Sequence, residues 1–157
     1  MKKYLLAIVT SLMLTHGLYS QTADKQQIAT IEKTIKEIQT NISKYKKTEV
    51  IKDSLGNSRD VYKDGNELKL VKVYFKDSDA DKSVEWYFSN RQLVYCQQNW
   101  TDKKTNSPFN NQKYYLNNGH LLAGLVNDKP IDINSEAFKN VEATLPEYGT
   151  KMIAETK

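Results

Sequence analysis

The sequence predicts an α+β domain, in which a sheet lies between helical segments at the two ends of the chain. Apolar residues recur at steps of three and four near both ends of the mature chain, whereas alternation dominates from residue 59 to residue 126. Helices and strands that are segregated along a chain are typical of α+β folds. We therefore expect an N-terminal helix (24–47) packed on an antiparallel meander of about six strands (59–126), followed by a helical C-terminal segment (135–155).

Residues 1–20 have the order of a secretory signal peptide. A basic start is followed by an apolar run that ends at Leu14 and then by the small residue Ser20. The apolar run is shorter than the roughly 20 residues that a membrane-spanning helix needs. We predict cleavage after Ser20, with Gly17 as the alternative site. Residues 21–157 then form a single domain without a membrane span, in the periplasm or outside the cell.

The composition of the mature chain excludes several classes of function. The full sequence has 23 basic and 19 acidic residues, and Lys2 and Lys3 leave with the signal peptide. The remaining charges nearly balance, which argues against binding to nucleic acid or to an anionic membrane. His120 and Cys96 are the only His and Cys of the mature chain, too few for a zinc site of four such ligands. We expect no cofactor, and we expect Cys96 to be a small buried hydrophobe.

An apolar stripe runs along the first predicted helix. Its members recur at steps of three and four and lie on one helical face: Ile28, Ile31, Ile35, Ile38, Ile42 and Tyr45. The spacing allows two interpretations, a helix that packs on its own sheet or a coiled coil in an oligomerising structural protein. The flanking positions show little charge complementarity, and the stripe is shorter than three heptads. We therefore favour packing on the sheet and a monomer.

The middle of the chain alternates as strands do. The predicted strands are rich in Val, Tyr, Phe and Trp, and they cover residues 68–75, 84–88, 93–96, 114–116 and 121–126.

In the C-terminal segment Asn134 and Ser135 provide an N-cap, and an apolar face follows from Phe138 to Leu145. Pro146 is expected to end this helix, with a further turn or two beyond it.

Three segments of the strand region have the same pattern. In residues 62–68, 87–93 and 115–121 a Tyr precedes a Leu by six positions, across a turn with Asp-Gly, Ser-Asn or Asn-Gly. Asn and Gly adopt the positive φ that tight hairpin turns require, so a small array of hairpins is predicted. This unit resembles the Tyr/Asn-Gly/Leu hairpin repeats of MORN-like proteins, and the whole layout resembles small exported bacterial proteins of unknown function. The resemblance implies an interaction scaffold without catalytic residues.

A carboxylate cluster is the first candidate site. Asp77, Asp79 and Asp81 alternate like the start of a calcium loop, but Lys82 stands where the loop needs Gly and Phe88 where it needs Glu. We interpret the cluster as a solvated turn and only a weak metal candidate. An alternative function, a small periplasmic hydrolase or lyase, would use these carboxylates or His120 as acid and base.

Aromatic residues provide the preferred candidate site. Successive residues of a strand point to opposite faces, so Tyr87 and Tyr115 are expected opposite Trp86 and Tyr114. An aromatic face that the helices do not cover would be a recognition surface, for which we select Tyr87, Trp100 and Tyr115 as binding residues. The predicted function is therefore a non-enzymatic envelope protein that binds another protein or a small ligand.

Overall fold

The computed structural model describes residues 24–51 and 56–156. The predicted signal peptide and its cleavage site lie outside the described residues. Helix α1 covers residues 24–41 and ends in one turn of 3-10 helix, Ile42–Lys44. The strands in chain order are β1 (Lys46–Ile51), β2 (Ser58–Asp64), β3 (Glu67–Phe75), β4 (Ala80–Ser89), β5 (Gln92–Asp102), β6 (Pro108–Asn117), β7 (His120–Val126) and β8 (Lys129–Pro130). Helix α2 covers Glu136–Glu155.

The eight strands of the described residues form one antiparallel sheet in which each strand pairs with its neighbours in sequence. The α+β class is thereby confirmed, whereas the prediction of about six strands is wrong. Strand β1 starts at Lys46, although the N-terminal helix is predicted to extend to residue 47. The β1 sequence is too polar to show a clear alternation of apolar and polar residues. Strand β8 has only two residues and includes Pro130, so no periodic sequence pattern predicts it.

The two helices lie on opposite faces of the sheet. The isoleucine stripe of α1 packs against residues of β3 to β6, forming a core with Leu70, Tyr87, Tyr95 and Tyr115. Residues of α2, among them Phe138 and Leu145, pack on the other face. The sequence predicts an aromatic face that the helices leave uncovered. Each helix instead has an apolar stripe of its own, and the sheet has two aromatic faces to cover.

Helix α2 continues through Pro146, contrary to the predicted stop. The Ser135 side chain caps its start by accepting a hydrogen bond of 3.2 Å from the backbone N–H of Phe138. An internal proline costs about 3 kcal/mol in a helix. Apolar packing offsets this cost, because the stripe from Phe138 and Leu145 continues to Met152 and Ile153 on the same face of the sheet.

The three Tyr-to-Leu segments lie at three hairpins on one end of the sheet. In each, the pairing register shifts directly after the tyrosine, at Tyr62, Tyr87 and Tyr115. The turns of the second and third hairpins have two successive residues at positive φ, Asn90-Arg91 and Asn118-Gly119. This end of the sheet is called the turn end below, and the opposite end, with the loops around residues 76–79 and 103–107, is called the loop end.

Tyrosine hydroxyls form hydrogen bonds in the interface between α1 and the sheet. Tyr87 donates a hydrogen bond of 2.6 Å to Glu85 and accepts one of 2.9 Å from Gln39, and Tyr115 donates one of 3.2 Å to Glu32. The rings of Tyr87, Tyr95 and Tyr115 follow one another at centroid distances of 5.6 and 5.0 Å. Burial raises the pKa of all three hydroxyls above the ordinary value, to about 12 for Tyr115.

The raised pKa values of these tyrosines predict a loss of stability in alkali. Unfolded tyrosines ionise near pH 10, before the folded ones, so the free energy of unfolding falls as the pH rises above about 10. Denaturant unfolding at a series of alkaline pH values measures this slope. Tyr95→Phe is expected to make the slope shallower, because it removes one of the buried groups. An identical slope in wild type and variant would contradict the prediction.

Candidate ligand-binding cleft

A cavity of about 650 Å³ lies between α2 and the loop end of the sheet. We call it the α2 cleft. Its walls come from β3 to β6, from α2, from the loop that follows β3 and from the residue before β2. The lining residues are Asn57, Phe75, Lys76, Asp77, Lys82, Val84, Trp86, Gln98, Trp100, Gln112, Tyr114, Val141, Thr144, Leu145 and Tyr148. The cleft exists because α2 packs closely on the turn end, where Gly149 meets Leu93, and leaves the loop end of the same face less covered.

Aromatic rings form most of the apolar wall. Trp86 and Tyr148 meet edge to face at 6.2 Å, and Trp100 meets Phe109 in the same manner at 6.0 Å. The side chains of Phe75, Phe109 and Tyr148 are 41%, 50% and 55% exposed, although large apolar groups are usually buried. Exposed apolar groups that gather around a concave surface mark a binding site. The rim and wall of the cleft therefore have the features of a recognition surface.

Two glutamines provide polar contacts on the sheet side of the cleft. Gln112 is held in place, because its Oε1 accepts a hydrogen bond of 2.6 Å from the Tyr114 hydroxyl and its Nε2 donates one of 3.2 Å to Asn110. The Gln98 side chain forms no hydrogen bond within the described residues and remains available to a ligand. The cleft thus combines fixed and free amide groups with an aromatic wall.

An ion pair closes one side of the cleft. The Lys82 Nζ lies 2.5 Å from the Asp77 carboxylate and 5.0 Å from the centroid of the Trp100 ring. The backbone N–H groups of Asp79 and Ala80 also donate to Asp77. The hydrogen bond from Lys82, with those from the backbone, lowers the pKa of Asp77 to about 2. The carboxylate is therefore ionised near neutral pH and is fully engaged by its neighbours.

The three aromatic residues selected from the sequence do not share a surface. Trp100 lines the cleft, whereas Tyr87 and Tyr115 are buried beneath α1 with exposures of 1% and 8%. Their hydroxyls bind Glu85, Gln39 and Glu32, as described above. Trp86 and Tyr114, which were expected opposite these tyrosines, do lie on the cleft side.

Several cleft residues were absent from the predicted site, although a signal for some of them exists. Gln98 and Trp100 are two apart on β5, as Val84 and Trp86 are on β4, so alternation alone puts each pair on one face. Tyr148 could not be found in this way, because the helix was expected to end at Pro146. Its place in the cleft depends on the continuation of α2.

The other polar candidates lie apart from one another. Asp79 accepts from Ser78, and Asp81 lies 3.6 Å from Lys103, so that each carboxylate of the cluster has its own neighbour. Within residues 24–51 and 56–156, no group of three Asp, Glu, His or Cys residues could hold a metal ion. His120 is exposed at the turn end, far along the sheet from these carboxylates. Cys96 is fully buried, which raises the pKa of its thiol.

The chain matches no protein-family model, no curated protein and no solved structure. In the part of the chain that the structure describes, neither helix is long and apolar enough to cross a membrane. What the α2 cleft can bind is therefore argued from its own side chains.

Proposed function

We propose that the protein is a non-enzymatic binding protein of the cell envelope that takes a small amphipathic molecule into the α2 cleft. The observation that carries this proposal is the cleft itself, a concavity of about 650 Å³ with an aromatic wall and a few amide groups. Ligand sites typically have volumes of about 300–1,000 Å³ and combine a mainly apolar lining with a small number of polar contacts. The envelope location rests on the predicted signal peptide.

The distribution of side chains suggests how such a ligand lies. Its apolar body contacts Trp100 and Tyr148, which face the cleft from the sheet and from α2. Its polar end reaches the sheet side, where Gln98 and Gln112 offer hydrogen bonds. A smaller cavity of about 250 Å³ adjoins the cleft along α2 and shares Phe75 and Tyr148 with it, so there is room for an elongated ligand.

The chemistry of the cleft favours binding over catalysis. A general base works best when its pKa is near the operating pH. Asp77, the carboxylate of the cleft, has a pKa of about 2 and is engaged by Lys82 and two backbone amides. His120, the other acid–base candidate, lies at the opposite end of the sheet. These features support a binding protein rather than the alternative hydrolase or lyase.

The proposal is tested with an amphipathic aromatic probe, anilinonaphthalene sulfonate, whose fluorescence rises in apolar surroundings. We expect saturable binding by the wild type. Trp100→Ala and Tyr148→Ala should each weaken binding by about tenfold or more, which corresponds to at least about 1.4 kcal/mol. Both side chains are partly or largely exposed, so neither variant removes a buried core residue.

Tyr74→Ala provides the matched control. Tyr74 is also exposed, at 40%, but it lies outside the cleft, and its replacement should leave the affinity unchanged. Circular dichroism of all four proteins establishes that the fold is retained. Equal affinities in the wild type and in both cleft variants would refute the proposal, as would an equal loss in Tyr74→Ala.

A further inference from the structure

A second cavity, of about 520 Å³, lies at the turn end of the sheet beneath α1. We call it the amide pocket. Its residues come from the first turns of α1 and from the second and third hairpins: Gln26, Gln27, Thr30, Ile31, Thr34, Ser89, Asn90, Gln92, Val94, Leu116, Asn117 and Asn118. The pocket faces α1 at the turn end, whereas the α2 cleft faces α2 at the loop end. The two sites are therefore separate, and neither depends on the other.

The polar lining of the amide pocket is uncharged. Every polar side chain that lines it, among the residues that the structure describes, is an amide or a hydroxyl. The charged turn residue Arg91 lines an adjoining cavity towards α2, which shares Gln92, Leu116 and Asn118 with the amide pocket. The lining side chains offer no countercharge to an anionic or cationic ligand, and a purely apolar ligand would leave the amides without partners. The lining suits a neutral ligand with many hydrogen-bonding groups.

Amide side chains both donate and accept hydrogen bonds. The amides of Asn90, Gln92 and Asn118 form no side-chain hydrogen bond within the described residues and are available to a ligand. Asn90 and Asn118 are held at φ 51° and 50° in tight turns, so their positions are defined by the hairpins. Vicinal hydroxyls, which also donate and accept, are the natural complement of such groups.

The pocket is also built across two elements of the fold. Asn117 Nδ2 donates a hydrogen bond of 2.7 Å to Gln27 Oε1 and so ties the third hairpin to α1. Ile31 and Val94 supply apolar surface in the same pocket. A sugar ring presents a C–H face as well as hydroxyls, so it can use the apolar surface and the amides together.

We infer that the amide pocket binds a neutral saccharide of one or two rings. The uncharged lining selects against sugars that carry a carboxylate or a phosphate. The free amides bind the hydroxyls, and the apolar residues contact the ring. This inference adds a second ligand class to the protein, on a face that the proposed function does not use.

The test follows side-chain amide resonances by NMR while neutral mono- and disaccharides are added at millimolar concentration to the exported protein. We expect saturable shifts of the Asn and Gln side-chain signals of the amide pocket, and weaker shifts with the acidic sugar glucuronic acid. Gln92→Ala should weaken binding at least about fivefold, because Gln92 is exposed and contributes a free amide. Asn140→Ala, which removes an exposed amide of α2 that lines neither cavity, is the matched control and should bind as the wild type does.

Three results would overturn the inference. The first is the absence of saturable shifts with every neutral sugar of the panel, and the second is an equal affinity in Gln92→Ala and wild type. The third is preferential binding of glucuronic acid. Because the probe of the α2 cleft is a different molecule with its own variants, a failure here leaves the test of the proposed function intact.

Discussion

Replacing Phe88 by alanine is expected to lower the free energy of unfolding by about 3–5 kcal/mol. Phe88 has no exposed surface and lies in the core between the sheet and α2, together with Leu93, Leu116 and Leu145. Removing the ring deletes apolar burial and leaves a cavity that this closely packed core fills only in part. Chemical denaturation of wild type and variant gives the difference directly.

Phe109→Ala is the control for the Phe88 variant. The same ring is removed there, but Phe109 is 50% exposed and meets the Trp100 ring edge to face. Loss of the Phe109 ring should lower the free energy of unfolding by about 1 kcal/mol, which is in the range measured for aromatic pairs. If the two variants lose similar stability, the core that the structure assigns to this face of the sheet is wrong.

The elements that could be predicted are those in which a local pattern and the tertiary contacts agree. The stripe from Ile28 to Tyr45 predicts a helix, and the same residues pack on the sheet. The Asn-Gly pair at residues 118–119 predicts a tight turn, and both residues have positive φ. In the first case the residues that favour the local conformation also make the contacts that stabilise it, and in the second the local conformation alone defines the turn.

The misjudged features depend on contacts between distant residues. Pro146 does not end α2, since packing of Met152 and Ile153 on the sheet outweighs the local cost of proline. Strand β1 forms because β2 offers a partner edge, although its own sequence is mainly polar. Neither outcome can be read from a short window of sequence, because the stabilising partner lies elsewhere in the chain.

The candidate site was predicted in part for a similar reason. Trp100 belongs to the α2 cleft, and alternation along β4 and β5 explains why Trp86 and Gln98 accompany it. Alternation does not say which helix covers which face. Tyr87 and Tyr115 had the same aromatic character as Trp100, but α1 lies on their side and buries them.

Gly149→Val is expected to destabilise the protein by about 1–3 kcal/mol. Gly149 lies on the buried face of α2, where a Cβ would come within 2.7 Å of the Leu93 Cβ and 3.2 Å of its Cδ2. Because the Leu93 Cβ is fixed to the backbone of β5, the clash cannot be relieved by a rotamer change, and α2 must move away from the sheet. Forcing extra atoms into a packed core typically costs about 1–3 kcal/mol, which exceeds the few tenths gained because valine has a higher helix propensity than glycine.

The matched control is Ala143→Val, a small-to-valine change at an exposed position of the same helix. It introduces a valine without the clash and should lower the free energy of unfolding by only about 0.5 kcal/mol, the difference in helix propensity between alanine and valine. A double variant with Leu93→Ala should lose less than the two single changes together, because the shortened side chain removes one of the clashing atoms. Equal losses at positions 143 and 149 would mean that α2 does not approach β5 this closely. In that case the turn end would be as open as the loop end, and the α2 cleft would have no defined boundary.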